Sequence, residues 1–437
     1  LTMDNKINKK AIRKAGILSI IPGLGQFYNK QPLKGIIFMS INILFIIELL
    51  TFGISSIQNF LTLGTVPIRD NSMFFLVEGT LQIIILFIYL VVWILNIIDA
   101  RKTARVYLLD GSRKSSSITI LKNVWQKGFP YILTIPAYIV MLFVIVFPVL
   151  VTLFMAFTNY DFFHTPPAHL IDWTGLSNFF SLIFLSAYRS TFISVLWWTL
   201  VWAIVASTLQ IILGILTAVI VNQDFVKGKR FFRTIFLLPW AVPAFITIMS
   251  FSNIFNDSMG AINIQVISLI NYLLPFIHIP MIPWKTNPFW TKTALIMIQT
   301  WLGFPFIFVI VTGVLQSIPN ELYEAAKMDG ANFWQRFTKI TLPMILFATT
   351  PVMITQYTGN FNNFNIIYLF NAGGPGDVGG GAGTTDILIS WIYKLTVGDS
   401  PQFGMASAVT IIISIIVVGV SLAVFKKAHT FDSEEMM

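Results

Sequence analysis

The chain has 437 residues, 56% of them hydrophobic and 11% charged, with a net charge of +9 and no cysteine. That composition is too apolar for a water-soluble globular chain, and it excludes disulfides, thiolate metal sites and cysteine nucleophiles. A basic excess alone would suit nucleic acid, but the positions of the charges argue for a bilayer instead.

About 20 helical residues at ~1.5 Å each cross a hydrocarbon layer of ~30 Å. Eight stretches qualify: 36–55, 74–98, 131–157, 190–222, 234–256, 291–317, 344–370 and 403–425. They are continuously apolar and do not alternate, which predicts an all-α polytopic membrane protein and not a barrel. With the N-terminus inside, all but five of the 28 Lys and Arg residues fall on inner segments; the five are Arg69, Arg189, Lys285, Lys292 and Lys394. This asymmetry predicts a multi-pass membrane protein with both termini cytoplasmic.

Residues 1–35 open with Lys6, Lys9, Lys10, Arg13 and Lys14, and the apolar run Ile17 to Ile21 stops at Pro22-Gly23. No cleaved signal peptide is expected, and Gly16 to Gly35 reads as a segment lying along the inner surface. An N-terminal helix pair follows at 36–98. Its Glu48 and Glu78 invite a functional reading as intramembrane carboxylates, but a structural or interfacial role is favoured over proton coupling. The linker 99–130, with Gly111 and Ser115-Ser116-Ser117, reads as a solvated cytoplasmic hinge before a six-helix core at 131–425. In the outer loop 158–189, His164 and His169 flank Pro166-Pro167 without an acidic or thiol ligand at a recognised metal spacing, so a surface loop is expected. His278 and His429 are isolated, and 426–437 reads as a cytoplasmic tail.

Span five opens with Leu237-Leu238-Pro239-Trp240-Ala241-Val242-Pro243. Pro239 and Pro243 remove backbone donors and bend the helix, either as a static kink or as a hinge lining a pathway. Span six carries Gln299 ahead of Leu302, Gly303 and Pro305, a polar group followed by an expected break. The polar segment 318–343 between spans six and seven should stand in water. Asn320 is expected to cap a short helix, with Glu321 and Glu324 near its positive end and Gly330 as a stop that tolerates positive φ. Asn332 and Gln335 then have the spacing of a capping box, so two short helices in a tight bend are predicted.

In span seven, Gln356, Asn360, Asn363 and Ile367 fall on one helical stripe flanked by Phe361 and Phe364. Amides facing lipid would be unsatisfied, so these face protein or water. Helix-to-helix bonding explains one or two of them. Asn360, Asn362, Asn363 and Asn365 together, interleaved with aromatics, suit a neutral polyol or sugar. The following loop, Asn371 to Asp386, is glycine-dense but lacks the Gly-Lys-Ser/Thr of a phosphate cradle. It reads either as a flexible outer loop or as a contact for an outside partner.

Glu324-Ala325-Ala326, Gly330 and Ile340-x-Leu342-Pro343 stand at the spacing of the signature loop of ABC importer permeases, which this chain resembles. Pro239 to Pro243, Thr300 to Pro305, Asn360 to Phe364, and Asn371 to Pro375 followed by Thr385-Asp386-Ile387-Leu388 extend the likeness over roughly 130–425. They point to the larger permease of maltose/maltodextrin importers. The resemblance implies that Glu324, Ala325, Ala326, Asp329 and Gly330 couple to a separate ATPase dimer. It implies a sugar site matching Leu302, Gly303, Asn360 and Asn363, to which Gln299, Gln356 and Phe364 are added. It also implies a second homologous permease subunit, an extracellular sugar-binding protein and the plasma membrane of a bacterium; Pro239, Pro243 and Pro305 are expected to act as hinges on the backbone grounds above. A maltose permease has Asn at Gln299, Ser at Gln356 and Tyr at Phe306, so the oligosaccharide itself is left open. Some relatives carry a large domain between spans three and four, for which 158–189 is too short.

No Gly-x4-Gly-Lys-Ser/Thr occurs in the chain, so ATP and Mg are expected on the partner ATPase and no cofactor or enzymatic activity here. An ion-coupled secondary sugar transporter is the alternative. It would want ionisable groups near the centres of the core spans, and spans three to eight have none. An intramembrane enzyme would need paired carboxylates, HExxH or a Ser/His arrangement inside the spans, which are missing.

Overall fold

The computed structural model describes residues 2–110, 117–223, 225–276 and 278–427. Residues 111–116 of the expected linker, with Gly111, Ser115 and Ser116, lie outside the described residues, as do 428–437 of the expected tail, with His429. Among the described residues seven helices are long and apolar enough to cross a membrane, and a sharply bent pair makes eight if it counts as one span. Among the described residues the only β pairing is two isolated bridges, Thr158 with Trp173 and Gly379 with Ala382. The chain divides into two compact units, Leu1–Gly175 and Leu176–Met437.

The first unit contains α1 (Thr2–Leu18), α2 (Leu24–Tyr28), α3 (Pro32–Thr62), α4 (Ser72–Asp110) and α5 (Gly128–Met155). At 39 residues α4 is about 58 Å long, well beyond a ~30 Å hydrocarbon layer. Its overhanging end is tied to the N-terminal segment through Asn96, which is fully buried. Asn96 Oδ1 accepts from Gly23 N (3.2 Å), its Nδ2 donates to Ser19 O (2.7 Å), and its backbone carbonyl accepts from Gln26 Nε2 (2.9 Å). Asn29 Nδ2 reaches Ala100 O at 2.8 Å, and Lys34 pairs with Asp99 at 2.7 Å. The segment expected to lie on the surface is thus knotted onto α4, because its buried amides find their partners there.

Glu48 is half-buried on α3 and accepts from Gln82 Nε2 of α4 at 3.3 Å, whereas Glu78 is exposed. A π-helical turn at Leu49–Gly53 follows Glu48, and a Cβ at Gly53 would stand 2.7 Å from Gln82 Nε2. Gln82 therefore reaches across only because position 53 is glycine. In the connection 63–71, backbone N–H groups of Thr65 and Val66, with Arg69 beside them, hold the Asp70 carboxyl below the usual carboxylate range. His164 shares a 2.8 Å bond with Asp161.

The second unit is built on α6 (Ser186–Asn222) packed along α10 (Pro288–Ser317). Small residues let the two approach: a Cβ at Gly214 would stand 2.5 Å from Ile307 Cβ. One core cluster gathers Trp198, Trp202, Ile248, Phe255, Trp284 and Phe370; a second gathers Ile211, Ile215, Phe304, Phe308 and Ile345. Between α6 and α10 run α7 (Lys229–Ala241), α8 (Ala244–Ile254) and α9 (Ile262–Leu273). The expected span five is no mere kink, since α7 and α8 meet at 89°. Pro243 forces Val242 out of the helical region, to φ −112° and ψ 135°, and the chain turns there.

Two further expectations are corrected. Span six does not break at Gly303 and Pro305, because α10 runs through both. Its packed surroundings hold it: Pro305 is buried, and Trp240 Nε1 donates to Leu302 O at 3.3 Å in the same turn. Span seven does break: α12 (Leu342–Phe361) ends at Asn362, and α13 (Phe364–Asn371) starts afresh after Asn363.

The glycine-dense loop before α14 (Leu388–Val397) and α15 (Phe403–Lys427) is fastened rather than loose. Asp386, fully buried, accepts from Gly383 N (2.7 Å) and Ser390 Oγ (2.8 Å) and pairs with Lys394. Trp198 Nε1 donates to Thr385 O at 3.0 Å, and Trp391 Nε1 to Gly380 O at 2.8 Å. Before α10, Asp257 accepts from Lys285 N and Thr286 Oγ1, both at 2.6 Å. Burial pushes the Lys285 ammonium below its ordinary range, with Asp257 opposing.

Three variants test these ties. Asn96→Leu leaves two buried backbone groups unpaired, at a cost of about 2–4 kcal/mol, and limited proteolysis should cut faster between Gly16 and Lys34. Asp386→Ala strands Lys394 and should cost about 3–5 kcal/mol. Hydrogen exchange across 371–386 should accelerate in that variant and recover in part in Asp386→Leu/Lys394→Met, where no charge is left unpaired.

Candidate functional site

Two places gather the residues singled out above. The first is the segment between α10 and α12. The helix α11 (Asn320–Met328) begins after Pro319, so Asn320 is its first helical residue and not its cap; proline stands at the capping position and offers no side-chain acceptor. Glu321 lies in the first turn and Lys327 in the last. Gly330 has φ +77° with open space where a Cβ would sit, so its requirement is conformational. The capping box forms as the spacing predicts: Gln335 N donates to Asn332 Oδ1 and Asn332 N to Gln335 Oε1, both at 2.9 Å.

The faces of α11 differ. Asn320, Tyr323, Glu324 and Lys327 line a cavity of about 450 Å³, together with Asn222 and Arg336. Asn222 in turn is held by Arg233 Nη2 (2.6 Å) and Lys229 Nζ (3.0 Å) at the start of α7. Ala325 and Asp329 are exposed, Ala326 is half-buried, and Met328 is 89% and Trp334 65% exposed. Large apolar side chains standing this far out of a polar loop make a surface suited to another protein.

The second place is a chain of amides across α6, α10 and α12. Gln299 Nε2 donates to Asn360 Oδ1 (2.7 Å), and Asn363 Nδ2 donates to Gln299 Oε1 (3.0 Å). Asn360 Nδ2 donates to Ser207 Oγ (2.8 Å), and Gln210 Nε2 to Gln356 Oε1 (2.9 Å). The buried Trp202 indole fixes Asn360 O at 2.9 Å. Gly303 packs directly on Gln210, while Leu302 faces Trp240. Phe364, next to Asn363, forms a cluster with Tyr368 and Tyr393 at centroid distances of 4.9–5.0 Å.

The structure therefore brings Gln299, Gly303, Gln356, Asn360 and Asn363 together, although the last two lie on either side of a helix break. Cross-helix bonding takes up more of these amides than the one or two expected. Asn362 and Asn365 stand apart and exposed. Pro239 and Pro243 flank the 89° bend, and Pro305 is buried within α10. Sequence reading missed Ser207, Gln210 and Trp202. The signal was there: a fully buried glutamine in the middle of a 37-residue apolar helix needs a polar partner.

Comparison with known proteins bears on both places. The family model of the binding-protein-dependent transport system inner membrane component matches residues 210–429. The maltodextrin transport system permease protein MdxF of Bacillus subtilis is 64% identical over 428 residues, 98% of each chain. The maltodextrin transport system permease protein MalC of Streptococcus pneumoniae is 57% identical over 431 residues, 98% of this chain and 99% of that one. A crystal structure of a bacterial ABC transporter involved in the import of the acidic polysaccharide alginate shares the fold, with a TM-score of 0.58 at 23% identity over 71% of this chain and 98% of that one. The chain belongs to the family of inner membrane components of binding-protein-dependent transport systems, the membrane-spanning permeases of ABC importers.

Proposed function

We propose that this permease carries a neutral oligosaccharide of the maltose/maltodextrin type into the cytoplasm, by alternating access around the amide chain of α6, α10 and α12. The observation that carries the reading is the 64% identity with a maltodextrin permease across almost the whole chain. The chemistry of the site agrees with it. Gln210, Gln299, Gln356, Asn360 and Asn363 present hydrogen-bonding groups without a formal charge, suited to hydroxyls, and the Phe364 cluster offers apolar ring faces.

ATP and Mg are held by a partner ATPase dimer, which docks on α11 through Glu324, Ala325, Ala326 and Asp329, with Gly330 setting the exit of the chain. A second homologous permease completes the pathway, and an extracellular binding protein delivers the sugar. The coupling segment and the site are the two ends of one lever. From Leu342 to Asn360, α12 is a continuous helix about 27 Å long, and a π-helical turn at Phe337–Thr341 joins it to the α11 loop. A push on α11 is carried toward Asn360 along this helix, with Pro351 as the one interior position lacking a backbone donor, and the break at Asn362 lets α13 stay behind.

The testing experiment is sugar-stimulated ATP hydrolysis and uptake by this chain, co-expressed with its partner subunits and reconstituted with a binding protein and maltodextrins. Glu324→Lys should insert normally but lose the sugar stimulation, with uptake at background; unchanged uptake would remove α11 from coupling. Asn360→Ala breaks bonds to Gln299 and Ser207 and should raise the sugar KM on the order of tenfold, as expected for a loss of roughly 1–2 kcal/mol. Wild-type uptake kinetics in that variant would place the sugar elsewhere.

A further inference from the structure

Among the buried side-chain polar atoms of the site, one on α6 has no hydrogen-bond partner. Gln210 is fully buried, its Nε2 is held by Gln356, and its Oε1 has no hydrogen-bond partner. That oxygen faces Gly303 of α10, where a Cβ would stand only 1.8 Å away. Turning the amide over would exchange which atom meets Gln356 and would still leave its other polar end free against Gly303. Leucine or methionine would fill the same space without an unpaired polar atom, and alanine at 303 would favour the helix. Two unfavourable choices thus face each other across the α6–α10 seam, one helical turn from Gln299. Gly303 itself is half-exposed, so one backbone hydrogen separates the free oxygen from the accessible face of α10.

Building on the sugar reading above, we propose that Gln210 is the selectivity contact of the site. Its free carbonyl accepts a hydrogen bond from one particular sugar hydroxyl as α6 and α10 shift in the transport cycle. The reason is differential. A hydroxyl arriving at the buried Gln299–Asn360 pair competes with bonds already made within the protein, so less is gained there. A hydroxyl arriving at Gln210 makes a bond and breaks none. Discrimination between a sugar that bears that hydroxyl and one that lacks it therefore concentrates at this residue, and Gly303 is the residue that keeps the oxygen within reach.

The test uses the complete importer in proteoliposomes, with uptake of maltotriose and of its monodeoxy analogues. In the wild type, one analogue should lose on the order of tenfold in kcat/KM. Gln210→Leu should lose a similar factor on maltotriose itself and show no further loss with that analogue. Gly303→Ala should reproduce this pattern by displacing the Gln210 carbonyl, and adding Gln210→Ala should relieve the collision without regaining the discrimination. Should Gln210→Leu fail to assemble, Gly303→Ala alone carries the comparison. An analogue profile in these variants identical to that of the wild type would overturn the contact and leave Gln210 as a helix-packing residue or a water ligand. An importer that takes up none of these sugars would overturn the proposed function and the contact with it, so the two failures are told apart by wild-type uptake.

Discussion

The pairing of Gln299 with Asn360, buried between α10 and α12, is the interaction on which the second unit depends. In a helix bundle surrounded by lipid, apolar contact alone does little to choose one neighbour over another, because lipid tails are as apolar as leucine. Amides remove that freedom. Once Gln299 meets Asn360, Ser207 must face the other side of Asn360, and α6 is drawn to both helices. The long contact of α6 with α10 then follows, with Gly214 packed against Ile307 and Gly303 against the Gln210 side chain. The same bonds give the protein a polar interior that holds together without substrate, and which a substrate has to rearrange.

The membrane-spanning pattern was legible in the sequence because it is local. Hydrophobic runs, a capping box and a glycine at positive φ each depend on a few neighbouring residues, and Asn332, Gln335 and Gly330 behave as their spacing says. What was not legible was decided by distant residues. Pro305 reads as a break, yet α10 continues through it because the Trp240 indole and the packed surface of α6 hold it in place. The stripe from Gln356 to Ile367 reads as one helix, yet it stops at Asn362. Nothing in the glycine-dense loop itself says that it is ordered, because its fastening depends on a carboxylate from Asp386, a lysine eight residues further on, and tryptophans of α6 and α14.

The candidate site was half legible for a related reason. Asn360 and Asn363 stand out as amides in an apolar run, and Gln299 does too. Gln210 carries the same signal but lies almost 90 residues before Gln299, and only the packing of α6 on α10 brings it in. Sequence reading finds polar residues that should not be in lipid; the fold says which of them have each other.

The knot around Asn96 has a consequence for how the protein is made. Its bonds join residues 70 to 77 positions apart, from Ser19, Gly23 and Gln26 to Asn96. None of them can close until the whole of α3 and most of α4 have left the ribosome and crossed the membrane in opposite directions. A hairpin in which only one of the two helices crossed would leave Asn96 and the N-terminal segment on opposite sides of the membrane, each without its partner. The knot therefore acts as a seal on the first two crossings, closing only when both have gone in correctly, before the helices that form the pathway are complete.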